Sequence, residues 1–99
     1  MKITIEELQE YLFDHYKNGG IDQSLFMKLV EEIGEVAEVL NKKAGRKSVG
    51  QEDLQTQLGN ELADVVHYTI AIAALNGIDM NDIIPVSYTD LRAHETPEH

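Results

Sequence analysis

The chain has 99 residues, which is enough for one hydrophobic core and too few for two, so we expect a single small domain. Its 18 acidic residues against 8 basic ones give a net charge of −10, which argues against binding to nucleic acid or to an anionic membrane. Cysteine is absent, and neither a signal peptide nor an apolar run of membrane-spanning length is recognisable, so we expect a cytoplasmic protein without disulfides.

The first helix is predicted over residues 5–17. Thr4 and Glu7 have the spacing of a capping box, in which each side chain bonds to the backbone N–H of the other residue. Apolar residues at helical spacing follow, and the pair Gly19 and Gly20 ends the helix.

A second helix is predicted from residue 22 to the region of Gly45, with Asp22 or Ser24 as its cap. One stripe of this helix carries large apolar side chains, at Phe26, Leu29, Ile33, Val36 and Leu40. Acidic residues occupy the other side, at Glu31, Glu32, Glu35 and Glu38. Taken alone, this pattern is typical of an ordinary amphipathic helix with a solvated acidic face.

Half of the basic residues follow within a short window, at Lys42, Lys43, Arg46 and Lys47. Two interpretations are open. The cluster is either a solvated loop or a local counter-site for phosphate groups.

The third predicted helix begins after Ser48, which has capping-box spacing with Gln51, and runs to Asn76, where Gly77 supplies a stop signal. Apolar side chains cover nearly all of it, which is typical of a helix at the centre of a bundle. Two acids nevertheless share one stripe with large apolar residues: Glu61 and Asp64 lie beside Val65, Tyr68, Ile72 and Leu75.

Carboxylates that are buried on an apolar stripe need a partner, because burying an unpaired ion is costly. The alternative interpretation is that both acids lie near the helix start, where the helix dipole favours them, or reach a surface. Glu32 with Glu35, and Glu61 with Asp64, are two i, i+3 pairs that antiparallel neighbouring helices can point into one volume. Converging carboxylates repel unless a cation lies between them. Oxygen ligands favour Mg²⁺ or Mn²⁺ over zinc.

The two acidic segments resemble the MazG-like, all-α nucleoside triphosphate pyrophosphohydrolases, whose pattern is E-E-x-x-E, a variable gap, then E-x-x-D. LVEEIGEVAEVLN matches the first part through Glu31, Glu32 and Glu35. NELADVVHYTIAIAALNGID matches the second part through Glu61 and Asp64. Because the sequence shows no strand-like alternation of useful length, we expect an all-α bundle of about three main helices plus a short fourth, which agrees with this resemblance.

The resemblance also implies Mg²⁺-dependent hydrolysis, with Mn²⁺ as a second candidate ion, of a nucleoside or deoxynucleoside triphosphate to the monophosphate and pyrophosphate. The residues implied to bind metal and to catalyse are Glu32, Glu35, Glu61 and Asp64, with Glu31 and Glu38 as supporting acids. Tyr68 lies where related proteins place an aromatic that contacts the base, although core packing explains it equally well. The basic cluster supplies candidate phosphate contacts: Lys42, Lys43, Arg46 and Lys47.

The end of the chain departs from this pattern. Relatives commonly continue with another helix, whereas Pro85 interrupts here and PVSYTDLRAHETPEH has no apolar periodicity and resembles read-through of a sequencing adapter. We therefore place the domain in residues 1–84 and treat residues 85–99 as an irregular tail that need not be native to it.

Two other classes of protein share some of these features. A non-catalytic acidic helical interaction module explains the charge and the second helix, but not the acids on the apolar stripe of the third. A di-iron bundle needs two Glu-x-x-His pairs, and the chain offers only Asp64-x-x-His67. Because three helices bury limited surface, we expect a homodimer or homotetramer, with sites shared between chains.

Overall fold

The structure, a computed structural model, describes residues 1–45 and 53–93. Four helices account for most of them: α1 (Ile5–Tyr16), α2 (Asp22–Lys43), α3 (Leu54–Leu75) and α4 (Met80–Ala93). This described part of the chain contains no strand, which confirms the predicted all-α class. None of its helices has the length and apolar character that crossing a bilayer requires.

The start of α1 is the predicted capping box. The Glu7 backbone N–H donates to Thr4 Oγ1 at 3.0 Å, and the Thr4 N–H donates to Glu7 Oε1 at 2.9 Å. At the other end, the Gly20 N–H donates to the Tyr16 carbonyl oxygen at 2.6 Å. A Cβ at Gly20 would lie 2.8 Å from both the Tyr16 oxygen and Leu75 Cδ1, so only glycine lets the chain turn this close to α3.

Helices α2 and α3 form an antiparallel pair, because side chains link the start of each to the end of the other. Asn76 Nδ2 donates to Asp22 Oδ1 at 3.0 Å, and Lys43 Nζ donates to Gln55 Oε1 at 2.7 Å. The predicted side-chain cap of α2 was wrong: its N-cap is Ile21, and the Asp22 carboxylate bonds to Asn76 instead.

The start of α3 lies later than predicted. Helix α3 begins at Leu54, where Asp53 Oδ1 accepts a hydrogen bond from the Thr56 N–H at 3.0 Å. The predicted Ser48 cap lies outside the described residues. The predicted stop is confirmed, since Gly77 has a φ of 68° and follows the last turn of the helix.

The core is small and lies between α1, α2 and α3. Its buried cluster consists of Leu12, Leu25, Ile70 and Ala71. The predicted apolar stripe of α2 is largely exposed, with Phe26, Ile33 and Leu40 exposed to 54%, 52% and 47%. The stripe that faces α3 instead runs through Leu25, Glu32 and Val39, which are seven residues apart and so lie on one face.

The expected irregular tail was wrong for residues 85–93, where the backbone continues as α4 through Pro85. Proline removes one hydrogen-bond donor and crowds one carbonyl, and here the helix continues despite that loss. Gln9 fixes the start of α4: its Nε2 donates to the Ile78 carbonyl at 3.0 Å, and its Oε1 accepts from the Met80 N–H at 2.7 Å. Residues 94–99 lie outside the described residues. That residues 85–99 need not be native to the domain stays a prediction.

Candidate active site

Three carboxylates meet where α2 packs on α3. Glu32 reaches this place because it lies on the stripe of α2 that faces α3, between the buried Leu25 and Val39. Glu61 and Asp64 come from adjacent turns of α3. One oxygen of each of the three carboxylates lies within 4.8 Å of the other two.

Two oxygens of this group are shielded from solvent and lack a partner. Neither Glu32 Oε2 nor Glu61 Oε2 accepts a hydrogen bond. A shielded carboxylate oxygen without a donor is costly, and it calls for either a proton or a cation. An all-oxygen donor set with orphaned atoms fits a hard divalent cation such as Mg²⁺ or Mn²⁺.

The same crowding raises the proton affinity of the acids. The neighbouring Glu35 carboxyl group, then burial, then Glu32 raise the pKa of Glu61 to about 7. Burial, followed by the charges of Glu35 and Asp64, raises the pKa of Glu32 above its usual value. The metal-free cluster therefore binds protons at a pH where isolated carboxyl groups are ionised.

The three other predicted acids of α2 are Glu31, Glu35 and Glu38, and all three are exposed. Glu35 is exposed and lies close enough to Glu61 to affect its pKa, but it is outside the group of three. Glu31 is exposed on the solvent side, where its Oε1 lies 3.9 Å from Lys28 Nζ. Glu38 is also exposed.

The described half of the basic cluster, Lys42 and Lys43, is not brought to the carboxylates in this chain. Lys43 follows Glu32 by eleven residues, which corresponds to roughly 16 Å along the helix axis. Its Nζ donates to Gln55 Oε1, and Lys42 is half-buried on the same turn. Arg46 and Lys47 lie outside the described residues.

Tyr68 is half-buried one turn beyond Asp64 and packs against the core cluster. Its ring also meets the imidazole of His67, with ring centroids 4.7 Å apart. The Tyr16 hydroxyl lies 2.7 Å from Nε2 of the same imidazole. Sequence reasoning missed this bond. The spacing from Asp64 placed His67 one turn from an acid, but nothing local pairs it with a residue of α1.

Two clefts of the described chain lie away from these carboxylates. An open cleft of about 440 Å³ runs past Glu6, Glu10, Ala74 and Asp79. An apolar cleft of about 330 Å³ lies between α1, α3 and α4, lined by Ile5, Leu8, Val65, Val66, Thr69, Ile70, Met80 and Ile84. Neither cleft is lined by Glu32, Glu61 or Asp64.

Comparisons with known proteins agree with this architecture. The crystal structure of iMazG from Vibrio DAT 722 superimposes with a TM-score of 0.68, covering 95% of this chain and 99% of that one at 22% identity, so the two share a fold. No curated protein matches the chain. The model of the MazG nucleotide pyrophosphohydrolase domain matches residues 22–88, which include all four predicted metal ligands. The chain therefore belongs to the MazG nucleotide pyrophosphohydrolase domain family.

Proposed function

We propose that this protein hydrolyses a nucleoside or deoxynucleoside triphosphate to the monophosphate and pyrophosphate, with Mg²⁺ or Mn²⁺ as its cofactor. Membership of the family supports nucleotide pyrophosphohydrolase activity in general. The observation that carries the finer proposal is the convergence of Glu32, Glu61 and Asp64, two of which hold a shielded oxygen without a hydrogen bond.

These three side chains would hold the cation through carboxylate oxygens, with Glu35 beside them. Bound there, a divalent cation would offset the charge of the triphosphate and activate a water molecule for attack. The protein needs such compensation because its net charge of −10 repels an anionic substrate.

In the proposed reaction, the oxygen of water bonds to the α-phosphorus and the bond from that phosphorus to the α–β bridging oxygen breaks. Pyrophosphate leaves with the electron pair, and the proton of the attacking water must be accepted nearby. Glu35 suits that task because it is exposed and lies next to Glu61.

The rest of the nucleotide needs an aromatic contact for the base and positive charge for the phosphates. We propose that Tyr68 contacts the base, since it lies one turn beyond Asp64 and is half-buried. Phosphate contacts are proposed for the basic cluster, namely Lys42, Lys43, Arg46 and Lys47. Because Lys43 lies far from Glu32 along the same helix, its contribution fits best if the site is shared with a second copy of the chain.

We infer that the chain assembles as a homodimer or homotetramer through an apolar strip on α2. The strip consists of Phe26, Val30, Ile33 and Leu40, all exposed and at positions that share one helix face. It carries no charge, so two strongly acidic copies repel least where these strips meet.

Product identity tests the function. The purified protein with Mg²⁺ should release pyrophosphate and a monophosphate from at least one triphosphate in a broad panel, and Glu61→Gln should not. Glu10→Gln is the matched control, because it makes the same change at an exposed position of α1. Release of orthophosphate with a diphosphate would contradict the proposed reaction. No turnover in any oligomeric form would favour the acidic interaction module.

A further inference from the structure

A hydrogen bond between α1 and α3 involves His67, the residue that precedes Tyr68. Tyr16, the last residue of α1, places its hydroxyl 2.7 Å from Nε2 of His67, in a partly buried setting. Burial lowers the pKa of His67, so its imidazole is neutral at neutral pH and can accept a proton donor at Nε2. In the arrangement proposed here, the Tyr16 hydroxyl is the donor and the proton of the imidazole lies on Nδ1.

The imidazole in turn contacts Tyr68. The ring centroids of His67 and Tyr68 are 4.7 Å apart at an interplanar angle of 69°. The same imidazole therefore bonds to the Tyr16 hydroxyl at Nε2 and makes an edge contact with the ring of Tyr68, so it links the end of α1 to Tyr68.

Tyr16 is itself held in place. Its carbonyl oxygen accepts hydrogen bonds from the N–H groups of Gly20 at 2.6 Å and Gly19 at 3.1 Å. Its ring makes edge contacts with His15 at 4.7 Å and with His67 at 5.7 Å. Burial, then the nearby hydroxyl group of Tyr68, raise the pKa of Tyr16, which agrees with the two phenols lying close together.

We propose that Tyr16 and His67 are a positioning pair that fixes the ring of Tyr68 in the orientation that meets the nucleotide. The proposal rests on the proposed function, in which Tyr68 touches the substrate. Neither member of the pair is required to touch substrate or metal. A ring already fixed before binding loses less rotational freedom when the nucleotide arrives, so the pair should affect substrate affinity rather than the chemical step.

Steady-state kinetics provide the first test. We expect Tyr16→Phe and His67→Phe each to raise KM about fivefold while kcat stays within about twofold of wild type. His67→Gln should keep KM closer to the wild-type value than His67→Phe does, because the amide oxygen of glutamine can accept the hydrogen bond from Tyr16. Tyr11→Phe is the matched control: it removes a phenol hydroxyl from an exposed side chain of the same helix and should leave KM unchanged.

A double-mutant cycle shows whether the pair acts through Tyr68. In a Tyr68→Ala background, Tyr16→Phe should have no further effect on KM, since the ring to be positioned is gone. Additive effects would overturn the proposal, as would a fall in kcat with KM unchanged.

Nuclear magnetic resonance tests the pair whether or not the enzyme turns over. Nitrogen-15 shifts of the His67 imidazole should show a protonated Nδ1 and an unprotonated Nε2 that accepts a hydrogen bond. In Tyr16→Phe, the Nε2 shift should change and the proton contacts between the rings of His67 and Tyr68 should weaken. Unchanged ring contacts in that variant would overturn the proposal while leaving the proposed reaction untouched.

Discussion

Glu32 on α2 and Glu61 on α3 each hold one carboxylate oxygen out of contact with solvent, and neither oxygen accepts a hydrogen bond. Hydrophobic burial alone would not place two acids in this way, because like charges repel and a desolvated carboxylate without a donor is unfavourable. Their positions are understandable if the cluster binds a cation when the protein is functional. The acids would then destabilise the metal-free fold, and metal binding would recover that loss.

Metal binding should therefore stabilise the protein. We expect millimolar Mg²⁺ or Mn²⁺ to raise the melting temperature by several degrees, because a ligand that binds only the folded state shifts the folding equilibrium. Glu61→Gln should abolish most of this increment, whereas Glu10→Gln should retain it. Differential scanning fluorimetry measures both. An equal response in wild type and Glu61→Gln would count against the site.

Stability without metal should fall as the pH rises. Glu61 has a pKa of about 7 in the folded chain against the ordinary value of 4.5, so the folded state binds its proton more tightly than the unfolded state. Its stabilising contribution is fully present below pH 4.5 and is lost as the pH rises through about 7. Chemical denaturation in chelator at pH 5, 6, 7 and 8 should show this decline, and Glu61→Gln should flatten it.

Added Mg²⁺ should reverse this dependence of stability on pH. The cation replaces the proton as the partner of the carboxylates, so it binds better as they ionise. The affinity measured by calorimetry should thus rise between pH 6 and 8. An affinity independent of pH over this range would mean that Glu61 is not a ligand.

Local signals in the sequence predicted the fold well. The capping box at Thr4 and the stop at Gly77 depend on a few neighbouring residues, and the structure contains both. The buried face of α2 could not be predicted in the same way. Two stripes lie side by side on that helix, an apolar one through Phe26 and a mixed one through Leu25, Glu32 and Val39. Only the position of α3 decides which stripe is covered.

In the candidate site, too, local spacing predicted some features, whereas the packing of the helices determines others. Acid spacing within α2 and α3 suggested that pairs of carboxylates could converge, and Glu32, Glu61 and Asp64 do so. The bond between Tyr16 and His67 joins residues 51 positions apart, and no periodic pattern in the sequence encodes such a contact. It depends on how α1 docks on α3.

The apolar strip on α2 should govern assembly. Light scattering coupled to size exclusion should give a dimer or tetramer for the wild type, and Ile33→Glu should shift it toward monomer, because a charge on the strip would be buried against its symmetry mate. Ile3→Glu is the matched control: Ile3 is exposed to 56% and Ile33 to 52%, but Ile3 lies outside the strip. A wild-type monomer at high concentration would contradict the assembly.

The tail should contribute little to stability. Deleting residues 86–99 leaves the Gln9 bonds to Ile78 and Met80 intact, so we expect the melting temperature to change by no more than about 3 °C. Gln9→Ala should have a larger effect, because it removes both bonds that fix the start of α4. If the deletion were more damaging than Gln9→Ala, residues 86–99 would have to be an integral part of the fold.

The final prediction separates the roles of two acids. Asp64→Asn removes a member of the group of three, so it should abolish turnover together with the thermal response to Mg²⁺. Glu35→Gln should abolish turnover while retaining most of the thermal response, because Glu35 lies beside the group and is proposed to accept a proton. Circular dichroism should show unchanged helix content in both variants, since each change preserves side-chain volume. Turnover that survives either substitution would overturn the assignment of that residue, and a lost thermal response in Glu35→Gln would make Glu35 a ligand.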